Sequence, residues 1–208
     1  MIPLEPLDQL TLVIAAFFTS TISGVLGMAG GIMLMAIMAL FIPAQNILIP
    51  VHGVAQLGSN FSRTLFSFKT VKWGIVAPFA IGAVIGGTIG GNVDIVLDEG
   101  LFRLILGGFI LFFTWAPKLK SMPEIANRAT RFGVLGSIAS FLALIIGATG
   151  PLIAPFYLRE NLKKEELVAT KAGCQVFVHS AKLIVYGLAG FAFVEYIWLL
   201  AGMVVAVF

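Results

Sequence analysis

Eight polar side chains form two matched stripes on segments that are otherwise apolar. The first stripe is His52, Gln56, Asn60 and Arg63, at positions i, i+4, i+8 and i+11. An α-helix places residues with this spacing on one face. The same spacing returns 119 residues further along the chain, with a polar residue at each corresponding position. The second stripe is Lys171, Gln175, His179 and Lys182.

Cationic and hydrogen-bonding side chains in this arrangement could bind a small anion. Ionisable residues within apolar segments are rare and usually mark a substrate path. Asn60 and His179 fall near the middle of their helices, so we expect them closest to the substrate. One turn further on, Arg63 and Lys182 would supply positive charge, and a guanidinium can bind two oxygens of an oxyanion at once.

The first residues of the two stripes, His52 and Lys171, would line the two mouths of the path. In the alternative interpretation, Arg63 and Lys182 extend to a membrane interface while the other polar residues bond backbone groups. Histidine titrates near neutral pH, so His179 or His52 could couple transport to protons, although lone histidines are more often simple hydrogen-bond donors.

The composition indicates a helical membrane protein. Of the 208 residues, 59% are hydrophobic and 11% are charged, whereas a soluble domain has about 25% charged residues. The net charge of +3 does not indicate nucleic-acid binding, because the basic residues lie mainly in short loops. The single cysteine, Cys174, excludes an internal disulfide and a cysteine-rich metal site. The N-terminal segment lacks a basic signal-peptide region, so we expect it to be retained.

Two glycine-rich segments interrupt apolar runs at corresponding places. The run 10–26 is followed by a break and a short leg, 32–41, and the run 132–146 by a break and the leg 152–158. Each short leg is too short to span a bilayer, so each pair is predicted to be a re-entrant hairpin or a broken helix. The start of a half-helix attracts anions, although small residues also serve close helix packing. The candidate site residues in the breaks are Gly27, Gly30, Gly31, Gly147, Thr149 and Gly150.

Hydroxyl groups near the breaks could add further donors. Ser23, Ser59 and Thr149 are the candidates, and we expect each to bond the backbone of its own helix.

The order of these features predicts two repeats and about seven transmembrane segments in an all-α membrane protein. Further spans are predicted at 52–68, 73–91 and 101–116, with an uncharged loop between Pro43 and Pro50. The first repeat would cover 1–116, a basic cytoplasmic loop 117–131, and the second repeat 132–208, with the absence of a final helix left open.

Loop charges favour inverted repeats. Lys69 and Lys72 precede an acidic loop containing Asp94, and the basic loop with Lys118 and Lys120 follows. The positive-inside rule makes these loops cytoplasmic, external and cytoplasmic. If 159–166 is also cytoplasmic, the run 132–158 enters and leaves on one side, and the repeats are inverted. A parallel repeat with broken but spanning first helices is the alternative.

These features resemble the TauE/SafE sulfite-exporter family. The segment 24–31 reads Gly-Val-Leu-Gly-Met-Ala-Gly-Gly and looks like that family's first-repeat signature. The proline-flanked loop, the polar helix and the Val-Lys-Trp start of the next span at 71–73 are also similar to the family. The second break, Gly-Ala-Thr-Gly-Pro at 147–151, departs from the glycine triplet. The resemblance implies a permease for sulfite, sulfoacetate or another small organosulfur anion.

We therefore predict a multi-pass plasma-membrane secondary transporter for a small anion. One repeat bundle would move against the other around a mid-membrane site. No zinc-hydrolase motif or serine-hydrolase elbow is present, so we expect no enzyme, metal or cofactor. The partners would be the anion and the lipid bilayer, with a homo-oligomer left open and no nucleic acid. An anion channel and a structural membrane protein are the alternatives.

Overall fold

The computed structural model describes residues 4–27, 29–93, 97–115 and 127–208, and their regular structure is entirely helical. Met28, Asp94 and most of the predicted basic loop, including Lys118 and Lys120, lie outside the described residues. Short 3-10 turns precede two of the helices, at Phe68–Thr70 and Phe193–Tyr196. The α-helices are α1 (Pro6–Leu26), α2 (Gly30–Phe41), α3 (Gln45–Phe66), α4 (Trp73–Gly91), α5 (Glu99–Trp115), α6 (Arg128–Ile145), α7 (Gly150–Leu158), α8 (Lys164–Leu188) and α9 (Ile197–Val207).

The apolar side chains pack into two clusters. The first cluster joins α1, α2, α3, α5 and α9, with Leu12, Met35 and Met203 at its core. The second cluster joins α4, α6, α7 and α8, around Phe79 and Phe132. Each cluster therefore contains a helix from the other half of the chain, α9 in the first cluster and α4 in the second.

The polar helices α3 and α8 cross between the clusters in antiparallel directions. A Cβ on Gly53, near the start of α3, would lie 3.0 Å from Lys182, near the end of α8. At the opposite end, a Cβ on Gly173 would lie 3.8 Å from the Thr64 side chain. The two polar stripes therefore meet along one seam.

The pair α6–α7 folds as a hairpin whose two ends lie on one face of the molecule. Glu160, just after α7, forms ion pairs with Arg128 and Arg131 at the start of α6. Lys72 brings the connection between α3 and α4 to the same face, because its ammonium group lies 2.6 Å from a Glu166 carboxylate oxygen. The hydrogen bond from Lys72 lowers the pKa of the Glu166 carboxyl, and the backbone N–H of Lys163 lowers it further.

The pair α1–α2 folds back in the same way. On α1, Ser20 contacts Ser59 and Ser23 contacts Arg63, so α1 runs parallel to α3. On α2, the Gly31 carbonyl contacts His52. Further along α2, Met35 approaches Gly147, which lies beside Ile49 near the start of α3. The short helix α2 therefore runs antiparallel to α1.

Glycines allow the helices α4 and α6 to pack backbone against backbone. A Cβ on Gly82 would overlap the carbonyl oxygen of Gly133, and one on Gly86 would overlap that of Ser137. Small residues at such a crossing let helices approach closely. The resulting dispersion contacts are one of the attractions that hold helices together inside lipid.

Three described helices, α1, α4 and α6, have the length and hydropathy to cross a membrane on their own. Taken together across a bend of 117°, α8 and the segment Phe193–Val207 make a fourth candidate. The helix α3 has 22 residues, about 33 Å at 1.5 Å per residue, but its polar stripe lowers its hydropathy. An all-α membrane protein is thus supported, and the number of seven segments stays a prediction.

The predicted loop between Pro43 and Pro50 is wrong. It is helical from Gln45 onward, with Pro50 inside α3. Proline breaks helices in water because it lacks an N–H group, but neighbouring groups compensate for this within transmembrane bundles. The spans predicted at 73–91 and 101–116 correspond closely to α4 and α5.

We predict that Gly82→Ala and Gly86→Ala destabilise the protein. The added methyl group meets backbone that cannot rotate away, so each substitution should cost about 1–3 kcal/mol and lower the thermal midpoint by several degrees. Thermal unfolding of the detergent-purified protein measures this. Gly107→Ala and Gly108→Ala on α5 are matched controls, since no atom of the described residues outside their own helix backbone lies within 4 Å of their Cβ positions. Equal midpoints for all four variants would contradict the close α4–α6 packing.

Candidate functional site

Eleven of the fourteen candidate site residues line one small cavity at the seam. Its volume is about 30 Å³, which is room for about two water molecules at roughly 10–15 Å³ each. Both polar helices and both glycine breaks contribute to its wall. The eleven residues are Gly27, Gly31, His52, Gln56, Asn60, Arg63, Thr149, Gly150, Lys171, Gln175 and His179.

The other three candidates lie outside the cavity wall. Gly30 packs against α1, where a Cβ would overlap the carbonyl oxygen of Thr19. Gly147 has a φ of 87°, a left-handed conformation that favours glycine. Lys182 is fully buried behind the cavity and contacts Gly147.

The two lysines of α8 each bind the carbonyl of a break glycine. Lys171 Nζ donates to the Gly27 carbonyl oxygen at 3.0 Å, and Lys182 Nζ donates to the Gly147 carbonyl oxygen at 2.6 Å. These carbonyls follow the last turns of α1 and α6, where the helix dipole is negative and favours a cation. Because Lys182 has no exposed surface, it does not extend to a membrane interface as the alternative interpretation required.

Arg63 is held by hydroxyl groups of two helices. Its guanidinium donates to Ser23 Oγ at 3.3 Å, to Ser20 Oγ at 3.2 Å, and to Ser59 Oγ. Ser20 was not among the predicted residues, although it lies one turn before Ser23 on the same helical face. Ser23 and Ser59 do not bond the backbone of their own helices, so that expectation was wrong, because their hydroxyls serve Arg63. Thr149 does not bond its own helix either.

The central amide and imidazole groups differ in how many of their polar atoms form hydrogen bonds within the protein. Asn60 Nδ2 donates to the Gln56 carbonyl of its own helix at 2.7 Å, which matches the alternative interpretation for this residue. His52 Nε2 lies 2.8 Å from the Gly31 carbonyl oxygen. Since a carbonyl can only accept, Nε2 carries the proton. The His52 and His179 rings meet edge to face with centroids 6.1 Å apart, so the two stripes touch at this point.

Several buried polar atoms at the cavity have no hydrogen-bond partner among the described residues. Most buried polar groups in proteins are paired, so a group of unpaired ones needs a physical reason. Ser140 Oγ also has no partner in the part of the chain that the structure describes, but Ser140 does not line the cavity. The unpaired atoms on cavity-lining residues are His52 Nδ1, Thr149 Oγ1, Gln175 Nε2 and His179 Nδ1.

Two helix N-termini border the same cavity. The first residues of α2 and α7 include Gly31 and Gly150, which line it. The first N–H groups of a helix have no partner within the helix and carry partial positive charge. No carboxylate lies among the described residues that line the cavity. The wall therefore offers positive charge and hydrogen-bonding groups, which suits binding of an anion.

We predict that Gln175→Met stabilises the protein in the absence of an anion. The substitution keeps the side-chain length and removes a buried amide donor without a partner, so the gain should be about 1 kcal/mol, or about 2–4 °C in the thermal midpoint. Thermal unfolding without added anion measures the effect.

Gln45→Met is the matched control for this prediction. Gln45 is as buried as Gln175, at 6% exposure each. In Gln45, however, both the amide nitrogen and the amide oxygen have hydrogen-bond partners. Its amide donates to the Ile145 carbonyl and accepts from the Leu97 N–H. Losing both bonds should cost about 1–3 kcal/mol. If Gln175→Met destabilises the protein as much as Gln45→Met, the Gln175 amide has a structural role.

One family of known proteins matches nearly the whole chain. The family model described as "Sulfite exporter TauE/SafE" matches residues 12–208, nearly the whole chain. No curated protein and no solved structure matches the chain. The matched region includes both polar stripes and both glycine breaks. The chain therefore belongs to the TauE/SafE sulfite exporter family, whose members are membrane transporters rather than enzymes.

Proposed function

We propose that this protein is a secondary transporter that carries sulfite or a related small organosulfonate across the plasma membrane through the seam between α3 and α8. The observation that supports this most is the cavity itself. It combines the half-buried Arg63 and the buried Lys171 with polar atoms that lack partners among the described residues, inside a protein of an exporter family. Burying ionisable groups inside a membrane protein costs free energy, and such groups usually mark a functional site.

We further propose that the two halves of the chain are inverted repeats. The matching helices α3 and α8 run antiparallel, as an axis in the membrane plane requires. Contacts also recur at the repeat offset. Val168 of α8 lies beside Gly27, and Ile49 of α3 lies beside Gly147. Likewise, the contact between Gly82 of α4 and α6 corresponds to that between Gly202 of α9 and Val13 of α1.

In this proposal the chain has about seven transmembrane segments. Five of them cross the membrane (α3, α4, α5, α8 and α9), and two, α1–α2 and α6–α7, are hairpins that return to the side they entered. The ion pairs of Glu160 with Arg128 and Arg131 support one side for both ends of the second hairpin. The basic residues gathered on that face make it cytoplasmic by the positive-inside rule. The first hairpin then opens to the external side.

The moving bodies of the alternating-access cycle are the two apolar clusters. A helix from each half is built into the opposite cluster, so the sequence halves cannot separate as units. The clusters meet along the polar contact of α3 and α8, where little apolar packing would be lost by sliding. The small volume of the cavity favours this cycle over a channel, which needs a continuous aqueous path.

Counterflow in proteoliposomes tests the proposed transport. Labelled sulfite should accumulate in vesicles loaded with unlabelled sulfite, and the rate should saturate with concentration. Arg63→Gln and Lys171→Met should each reduce the initial rate by about tenfold or more, because each removes a charge-assisted donor at the cavity. Lys72→Gln removes the cation of the ion pair with Glu166, which lies away from the cavity wall. This variant should leave the rate unchanged. Equal rates in vesicles with and without the protein would reject transport of sulfite.

Cysteine labelling tests the hairpins. In a Cys174→Ala background, single cysteines at the exposed positions Glu5 and Asn46 should react with a membrane-impermeant maleimide added outside intact cells. Cysteines at the exposed positions Ala129 and Lys164 should react only after the membrane is permeabilised. Labelling that separates the members of either pair across the membrane would reject the corresponding hairpin.

A further inference from the structure

The cavity has an excess of positive charge. Arg63 and Lys171 line it, and the fully buried Lys182 lies behind it. Among the described residues that line the cavity, none carries a carboxylate. The described ion pairs lie outside the cavity, on the face assigned to the cytoplasmic side, where Glu160 and Glu166 are already engaged.

The present partners of these cations are neutral. Lys171 donates to the Gly27 carbonyl, and Arg63 donates to serine hydroxyl groups and to the Ser20 carbonyl. Oxygen atoms of this kind satisfy hydrogen bonds but do not cancel charge, and a buried charge is costly unless it is paired. An ammonium group has three donors and a guanidinium five, so both can add a ligand to the bonds they already make.

The size of the cavity limits what can meet this charge. A space of about 30 Å³ admits about two water molecules. A space this small favours a compact anion over one with a large organic group. Donors from both polar helices and from the starts of α2 and α7 surround it, so an oxygen could be bound in several directions.

We infer that the cavity selects a compact oxyanion with two negative charges over a singly charged anion of the same shape. This inference rests on the proposed function, that the seam is an anion site. A dianion pairs Arg63 and Lys171 at once, whereas a monoanion leaves one of the two cations without a counter-charge. The deep position of Lys182 adds attraction for the second charge without requiring direct contact.

Isothermal titration of the purified full chain with anions of equal shape tests the inference. Sulfate carries two charges, while methanesulfonate and sulfamate are tetrahedral and carry one. At constant ionic strength we expect a dissociation constant for sulfate at least about tenfold lower than for either monoanion. Lys171→Met should reduce this ratio to about threefold or less, because one cation is removed. Lys72→Met, on the face assigned to the cytoplasmic side and outside the cavity wall, should leave the ratio unchanged. The wild-type comparison stands alone if Lys171→Met does not fold.

Sulfite in the same titration separates the inference from the proposed function. Comparable binding of sulfate and the monoanions would overturn selection by charge and leave an anion site in place. Binding of sulfite alone would also overturn it, since shape would then be the criterion. Failure of sulfite and all three tetrahedral anions to bind well-folded protein would reject the anion site itself.

Discussion

Inside lipid, neither a buried ammonium group nor a backbone carbonyl at a helix break can form a hydrogen bond with water. In this protein the two groups form hydrogen bonds with each other. The breaks after α1 and α6 expose carbonyls at Gly27 and Gly147, and Lys171 and Lys182 occupy them. Either feature alone would be costly. Together they form one electrostatic unit, which fixes the height and rotation of α8 against both broken helices.

The other side of each break has the opposite polarity. The helices α2 and α7 begin where α1 and α6 have just ended, so the positive N-termini of α2 and α7 border the cavity. The carbonyls at the negative C-termini of α1 and α6 accept hydrogen bonds from the two lysines. A continuous helix would have cancelled these partial charges along its length. Breaking it separates them, and the cavity lies on the positive side with Arg63. The proposed anion preference of the seam thus has a basis in backbone geometry as well as in side chains.

Much of this arrangement could be predicted because the signals are periodic. The helical spacing of the stripes placed Gln56 and Gln175 on one seam, and the repeated break placed Gly31 and Gly150 beside them. Contacts between remote helices could not be predicted in this way. Nothing local in α4 or α9 indicates that each packs into the opposite half. The role of Ser20 became visible once α1 and α3 were placed side by side.

The lysine contacts also bear on how binding could drive movement. Lys171 belongs to α8 in the second cluster, while Gly27 ends α1 in the first, so their hydrogen bond crosses the seam. An oxyanion is a stronger acceptor for an ammonium group than a neutral carbonyl is. In the proposed cycle, an anion that draws Lys171 towards itself weakens the bond that ties the clusters together. Substrate binding and release of the seam then become the same event, which is the coupling that a transporter requires and a channel does not.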